Sequence, residues 1–248
     1  MSQPVPKLAW KGVSKRFGGA TVLDRMEFSV EAGRSVVIIG GSGQGKSVTI
    51  KLALGLMRPD AGQILLDGKP LPGFVGRTQQ RLFKRAGVLF QGAALFDSLT
   101  VWENVAFRLI NADGVPRARA RIRALAALDQ VRLPHTVADL YPSELSGGMQ
   151  KRAGLARAIV ADPELLFFDE PTTGLDPVTA AAINALIVDQ VKRLGCTAVS
   201  ITHDLASART IADEIAMLDG GRIVWCGKPA ELDTTEHPLV RRFVDGVA

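Results

Sequence analysis

The run Gly40-Gly41-Ser42-Gly43-Gln44-Gly45-Lys46-Ser47, directly behind the apolar stretch Val36-Val37-Ile38-Ile39, constrains this chain more than any other feature. It has the form G-x-x-x-x-G-K-S, a phosphate-binding loop between a buried strand and a helix. Glycines let backbone N–H groups crowd around phosphate oxygens without Cβ clashes. The positive end of the helix that follows, patterned by Val48, Ile50, Leu52 and Leu54, adds to the anion site. Gly40 through Val48 are therefore the candidate nucleotide-binding residues. Lys46 is placed to reach the β- and γ-phosphates and the Ser47 hydroxyl to ligate Mg²⁺. An ordinary glycine-rich βα turn is the alternative, and the strand before and helix after argue against it.

The 248 residues suffice for one large α/β unit or two small domains. A formal charge of +5 would suit a nucleic acid or an anionic membrane surface, but a solvated surface accounts for it. Cys196 and Cys226 lie in apolar, strand-like segments without metal-ligand spacing, so both are expected to be reduced, buried thiols of a cytoplasmic protein. No apolar run approaches the ~20 residues that cross a bilayer, and Met1–Pro6 has no apolar leader. Any membrane role is expected to come through a partner.

Along the chain, the opening third reads as β. Met26, Phe28 and Val30 alternate with Arg25, Glu27 and Ser29 as in a half-buried strand. Ile64-Leu65-Leu66 runs into a turn at Asp67-Gly68, and Val88-Leu89-Phe90 ends at Gln91. Thr100-Val101-Trp102-Glu103 has the form of a capping box, so a helix is expected there. A break at 111–116 separates it from an Ala- and Arg-rich helix at about 117–131, and another helix begins near Gly148. Leu165–Phe168 reads as a buried strand, 178–194 as a helix, and 197–202 as a strand. Two further strands, 215–218 and 222–226, flank the hairpin signal Gly220-Gly221.

Two constellations carry further chemistry. The strand Leu165–Phe168 emerges into Asp169-Glu170, and adjacent carboxylates there are costly unless they meet a cation or donors. Asp169 is placed to hold Mg²⁺, and Glu170, expected to point the other way along the strand, to polarise a water attacking the γ-phosphate. Leu145-Ser146-Gly147-Gly148, before a helix start, makes a second nest of N–H groups; alone it is a plausible helix cap. One Lys-bearing loop with one Lys-free loop suggests that two copies close face to face, with each nucleotide between Lys46 of one and Ser146 of the other.

These motifs resemble the ATP-binding subunits of ABC transporters over nearly the whole chain. The resemblance implies that Lys46 and Ser47 belong to Walker A, Asp169 and Glu170 to Walker B, and Leu145–Gly148 to the ABC signature. Gln91 corresponds to the Q-loop glutamine that senses Mg²⁺, Gly174-Leu175-Asp176 to the D-loop, and His203 to the switch histidine at the γ-phosphate. Phe17, in Ser14-Lys15-Arg16-Phe17-Gly18, corresponds to the aromatic that stacks on adenine. Plainer roles stand beside these: strand-end hydrogen bonding for Gln91, packing for Phe17, and a position before a helix capped by Asp204 for His203. Asp176 before Pro177 is also a good N-cap, and its two roles can coexist.

The implied fold is α/β, a P-loop NTPase of the ABC ATPase type: a mixed β core with an antiparallel β subdomain and an inserted helical subdomain. The single domain, 1–248, divides into a catalytic core at 1–95 and 162–248 and a helical subdomain at 96–161 carrying the signature. The stretch 90–105, Met149 within the signature, and the ending 240–246 are similar to ATPases of the Mla and Mce lipid-transport systems. Their resemblance implies ATP and Mg²⁺, a second copy of the chain, an MlaE-like transmembrane permease, a periplasmic Mce-domain lipid-binding protein and, in some systems, a STAS-domain protein. It places the chain at the cytoplasmic face of an inner membrane, moving phospholipid or related hydrophobic cargo. An importer of another solute and a soluble ATPase acting on ribosomes or DNA are the alternatives. No nucleic-acid partner is expected, because Arg117, Arg119, Arg121 and Arg123 spread around roughly half a helix rather than forming one stripe.

Overall fold

In the computed structural model, which describes residues 5–71 and 84–246, alternating and continuous apolar runs build different sheets. Two compact units are distinguished, residues 1–83 with 196–248, and residues 84–195. The expected absence of a leader bears partly on residues 1–4, which lie outside the described residues.

In the first unit, β1 (Leu8–Phe17) and β2 (Ala20–Val30) form an antiparallel hairpin with Leu8 opposite Val30 and Phe17 opposite Ala20. Leu23, Met26 and Val30 are buried while Arg25, Glu27 and Ser29 are exposed, the alternation expected of a one-sided sheet. This sheet has the order β2-β1-β4-β5, completed by β4 (Ala61–Leu66) and β5 (Lys69–Pro70). Asp67 and Gly68, with φ 50° and 73°, turn the chain between the last two.

The unit's other strands follow a different rule. All five residues of β3 (Ser35–Ile39) and of β8 (Thr197–Ile201) are buried, as parallel strands covered on both faces are. They pair in parallel with Ile38 opposite Ile201, and β3 also pairs in parallel with β9 (Glu214–Asp219), Ile39 opposite Met217. The antiparallel β10 (Arg222–Gly227) follows the Gly220-Gly221 turn and is the outer strand of the run β10-β9-β3-β8. Helices α1 (Lys46–Ala53), α6 (Leu205–Ile211) and α7 (Pro238–Val244) complete the unit. The expectation of two buried thiols is corrected here: Cys196 is buried, but Cys226 is exposed. It sits on an outer strand none of whose residues is fully buried.

The second unit combines a parallel pair, β6 (Ala86–Leu89) and β7 (Leu165–Asp169), with four helices: α2 (Val101–Asn111), α3 (Arg117–Gln130), α4 (Gly147–Ile159) and α5 (Pro177–Leu194). The start of α2 is the one its sequence announces: the Glu103 carboxylate accepts from the Thr100 N–H and hydroxyl, both at 2.9 Å. Buried Asn104 holds the preceding loop, accepting from Phe96 N–H at 2.7 Å and donating to the carbonyls of Phe96, Leu99 and Thr100. Three of the arginines of α3 are engaged locally. Arg117 pairs with Glu103 and lies 4.7 Å from the Trp102 ring centre, Arg121 pairs with Asp139 at 2.7 Å, and Arg123 donates to the Val160 carbonyl.

Among the described residues no helix is long and apolar enough to cross a membrane. The main chains of β6 and α4 approach so closely that a Cβ on Gly87 would lie 2.0 Å from the Ala158 carbonyl oxygen. No side-chain rotation relieves a clash with backbone. Gly87→Val is therefore expected to destabilise the protein by about 1–3 kcal/mol or more, read as a lower urea midpoint at unchanged slope.

Candidate active site

The phosphate-loop candidate leaves the C-terminal end of buried β3. Gly40 has φ 151°, and a Cβ there would sit 2.3 Å from the Leu218 carbonyl oxygen of β9, so only glycine lets the chain pass. Gly45 caps α1 in the left-handed region, with φ 98°, and its missing Cβ would lie 2.9 Å from Val22 of β2. Between them, the Gln44 side-chain oxygen accepts from the Gly220 N–H at 2.9 Å and ties the loop to the β9–β10 turn. Lys46, only 8% exposed, donates to the carbonyls of Gly40 and Gly41 at 2.8 and 2.9 Å. Its ammonium is thereby folded back over the loop, while Ser42 and Gly43 remain exposed. Ser47 and Val48 follow in the first turn of α1, both half-buried.

His203 lies just beyond β8, whose end adjoins that of β3 through the Thr202 N–H bond to the Ile38 carbonyl. The imidazole is exposed, and its neighbour Asp204 is the N-cap of α6. Asp204 accepts from the Ala206 N–H at 3.0 Å and from the Ser207 hydroxyl at 2.6 Å. Burial alone raises this carboxyl, but the Ser207 and Ala206 donors, with His203 beside it, outweigh that and hold it below the usual aspartate range. The first unit thus brings the loop and His203 to one end of a parallel strand pair. Phe17 is placed at the tip of the β1–β2 hairpin, 45% exposed, with the Lys15 ammonium 5.5 Å from its ring centre.

In the second unit, Leu89 pairs with Phe168, so Gln91 and the Asp169-Glu170 pair emerge at one end of β6 and β7. Glu170 departs from expectation. It lies one residue past β7 with φ 50°, so strand alternation does not set its direction. The Thr173 hydroxyl does, donating to its carboxylate at 2.9 Å. A non-glycine residue in that conformation costs about 1–3 kcal/mol and persists only where its surroundings enforce it.

Ser146 is the N-cap of α4, its hydroxyl accepting from the Met149 N–H at 3.3 Å. Asp176 is the N-cap of α5, accepting from the N–H groups of Val178 and Thr179, both at 3.0 Å; the hydrogen bonds from Thr179 above all hold its carboxyl below the usual range. Ser146, Gly147, Gly148 and Asp176 line a single concavity of about 420 Å³. Gly148 faces Thr179, whose methyl would be 2.8 Å from an added Cβ.

Sequence reasoning missed Lys151. Only 6% exposed, it reaches from the second turn of α4 to the Gln91 carbonyl and, at 3.3 Å, to the Glu170 carbonyl. Burial lowers its pKa, opposed by the charges of Asp169 and Glu170. The signal was a cation facing inward on an Ala-rich helix, with Gly154 and Arg157 on the same third of its surface.

Within the second unit, Gln91 and Asp169 leave their strands at the same end and offer an amide and a carboxylate oxygen, donors of the type that suit Mg²⁺. Among the described residues no group of three or more His, Cys, Asp or Glu could hold a metal ion.

Residues 23–173 match the family model described as ABC transporter. The chain is 37% identical over 238 residues to the "Probable ribonucleotide transport ATP-binding protein mkl" of Mycobacterium leprae, covering 95% of this chain and 68% of that one. It is 37% identical over 249 residues to the "Intermembrane phospholipid transport system ATP-binding protein MlaF" of Escherichia coli K12, covering 100% and 92%. It is 41% identical over 223 residues to the "Methionine import ATP-binding protein MetN" of Mesorhizobium japonicum, covering 90% and 60%. The chain thus spans about two thirds or less of the length of the mkl and MetN proteins. Among solved structures, cbiO1 from Clostridium perfringens, part of the ABC transporter complex cbiONQ, has a TM-score of 0.83 at 28% identity, covering 96% of this chain and 95% of its own. The ATP-binding cassette MJ0796, in a dimeric post-hydrolysis state bound to ADP and Pi, has 0.79 at 30%, covering 90% and 98%. The fold is accordingly that of an ABC ATPase cassette.

Asp204→Ala is expected to cost about 0.5–2 kcal/mol at neutral pH through loss of the cap. Because the folded-state pKa lies below the ordinary 3.8, this contribution is complete above the unfolded-state value and is lost as pH falls through the folded one. Urea titrations of parent and variant should therefore diverge at pH 7 and converge as the pH falls well below the ordinary 3.8.

Proposed function

The chain belongs to the ABC transporter family, and on that premise we propose that it is the ATP-binding and ATP-hydrolysing subunit of a transporter for phospholipid or related hydrophobic cargo. The observation that carries the ATPase reading is Lys46, folded by the Gly40 and Gly41 carbonyls over a loop with exposed Ser42 and Gly43. The loop N–H groups and Lys46 bind the phosphates, and Phe17 stacks on adenine. Ser47, Asp169 and Gln91 are the residues that would hold Mg²⁺, which would supply charge neutralisation for the phosphates. Glu170 accepts the proton of the attacking water, and His203 fixes the γ-phosphate and that water. The 1–95 and 162–248 core and the 96–161 helical subdomain act as one cassette.

A second copy of the chain completes the nucleotide site. Ser146, Gly147 and Gly148 form a nest with no lysine, and Asp176 stands beside them on the same exposed concavity. The N–H nest suits the γ-phosphate of ATP held by a partner copy, and the dimeric MJ0796 cassette supports the arrangement. Closure of two copies around ATP, and release on hydrolysis, then drives an MlaE-like permease. The chain reaches the cytoplasmic face of the inner membrane through that permease, and a periplasmic Mce-domain protein receives or delivers the cargo. A STAS-domain protein is a further partner in such a complex.

The lipid reading is supported by the match to MlaF, which spans this whole chain and 92% of the relative. A second reading, import of a small solute, is favoured by the higher 41% identity to MetN, over 60% of that relative. Lipid extraction and mass spectrometry of the intact membrane complex separate the two. Stoichiometric phospholipid supports the first, and a lipid-free complex whose ATPase rises with methionine supports the second.

Glu170→Gln should retain ATP binding, lower turnover by about 10²–10⁴-fold and leave a stable ATP-bound dimer on gel filtration. Undiminished phosphate release by this variant would remove Glu170 from the role of base. Ser146→Arg should spare ATP binding by the monomer while abolishing that dimer in the Glu170→Gln background.

A further inference from the structure

The helix that begins at Ser146 grips the segment that follows β6 at three levels. Lys151 donates to the Gln91 carbonyl. One turn on, Gly154 lets the segment press close, since an added Cβ would lie 2.8 Å from Leu89 and 3.2 Å from the Ala93 Cβ. Then Arg157 donates to the carbonyls of Ala93 and Ala94 at 2.6 and 2.7 Å. Ala93 and Ala94 have φ 58° and 50°, a left-handed conformation worth about 1–2 kcal/mol of strain per residue, and the guanidinium holds both carbonyls in it. Lys151 alone also reaches the other strand end, at the Glu170 carbonyl, where the backbone is left-handed as well.

Resting on the assignment of Glu170 as base, we propose that Lys151 is a positioning residue for hydrolysis, fastening the backbones at Gln91 and Glu170 to the signature helix so that all three move as one piece. A displacement of the Ser146 end of α4 is then transmitted to Glu170 without passing through solvent or side-chain carboxylates. The ammonium acts through main chain, both of these acceptors being backbone carbonyls. A buried apolar side chain of similar length would fill the same space, so packing alone does not call for a cation.

The test compares Lys151→Met, Lys151→Arg and Glu170→Gln in the full chain with Mg-ATP. Lys151→Met should lower kcat by ~10- to 100-fold, the scale of a small misplacement of a reacting group, with KM for ATP within about twofold. Lys151→Arg should recover most of the loss. Equal losses in both variants, or a loss carried by KM, assign Lys151 to structure and overturn the proposal. So does unchanged kcat in Lys151→Met while Glu170→Gln is silent; turnover by Glu170→Gln instead overturns the assignment of the base. Amide exchange on the ATP-free chain reads the clamp without turnover. Faster exchange confined to 90–94 and 169–173 in Lys151→Met, restored in Lys151→Arg, is the expected result, and unchanged exchange there overturns it.

Discussion

Parallel strand pairs that end in register set where everything else in this molecule can happen. Ile38 stands opposite Ile201, and Leu89 opposite Phe168. Within a residue or two of these pairs the strands end, at Ile39, Ile201, Leu89 and Asp169, and loop conformation is decided by whatever lies nearby. The Gly40–Ser47 loop and His203 leave one such edge, and Gln91 with Asp169 and Glu170 leave the other. Ligands of open α/β sheets bind outside the carboxyl ends of the strands because that is where unpartnered backbone and reactive side chains coincide. The four to five buried residues behind each loop, as in β3, β7 and β8, make the platform rigid enough to hold strained turns.

Two buried lysines meet the cost of desolvation in the same manner. Lys46 faces the Gly40 and Gly41 carbonyls and Lys151 those of Gln91 and Glu170. A carbonyl is a neutral acceptor, so it orients an ammonium without neutralising it, whereas a carboxylate would do both. In the loop the two carbonyls orient the Lys46 ammonium over the glycines. At the strand ends Lys151 also feels the charges of Asp169 and Glu170, which oppose the lowering of its pKa by burial.

The sequence made the strands and helices legible because their signals are local: the period of two in β2, the unbroken apolar runs of β3, β7 and β8, the capping box before α2, and the paired glycines at 220–221. The glycine loop was legible for the same reason, since Gly40, Gly43 and Gly45 each answer a demand of their own backbone. What stayed hidden depends on distance in space. Glu170 could not be aimed from strand alternation because the strand stops one residue earlier, and its carboxylate follows Thr173 instead. The exposure of Cys226 is set by the outer position of β10, which an apolar run does not disclose. Lys151 sits sixty residues from Gln91 in the chain, and only the close seating of α4 on β6 makes them neighbours.

The arginines of α3 show what local pairing does to a cationic surface. Arg117 and Arg121 are matched by Glu103 and Asp139 and share the face of Trp102, and Arg123 lies near Asp162. Affinity for a polyanion comes mainly from mobile counter-ions set free when it docks. A helix whose cations already keep company with covalently attached anions has few such ions to liberate. Three of the four arginines on this helix therefore meet an approaching polyanion already matched.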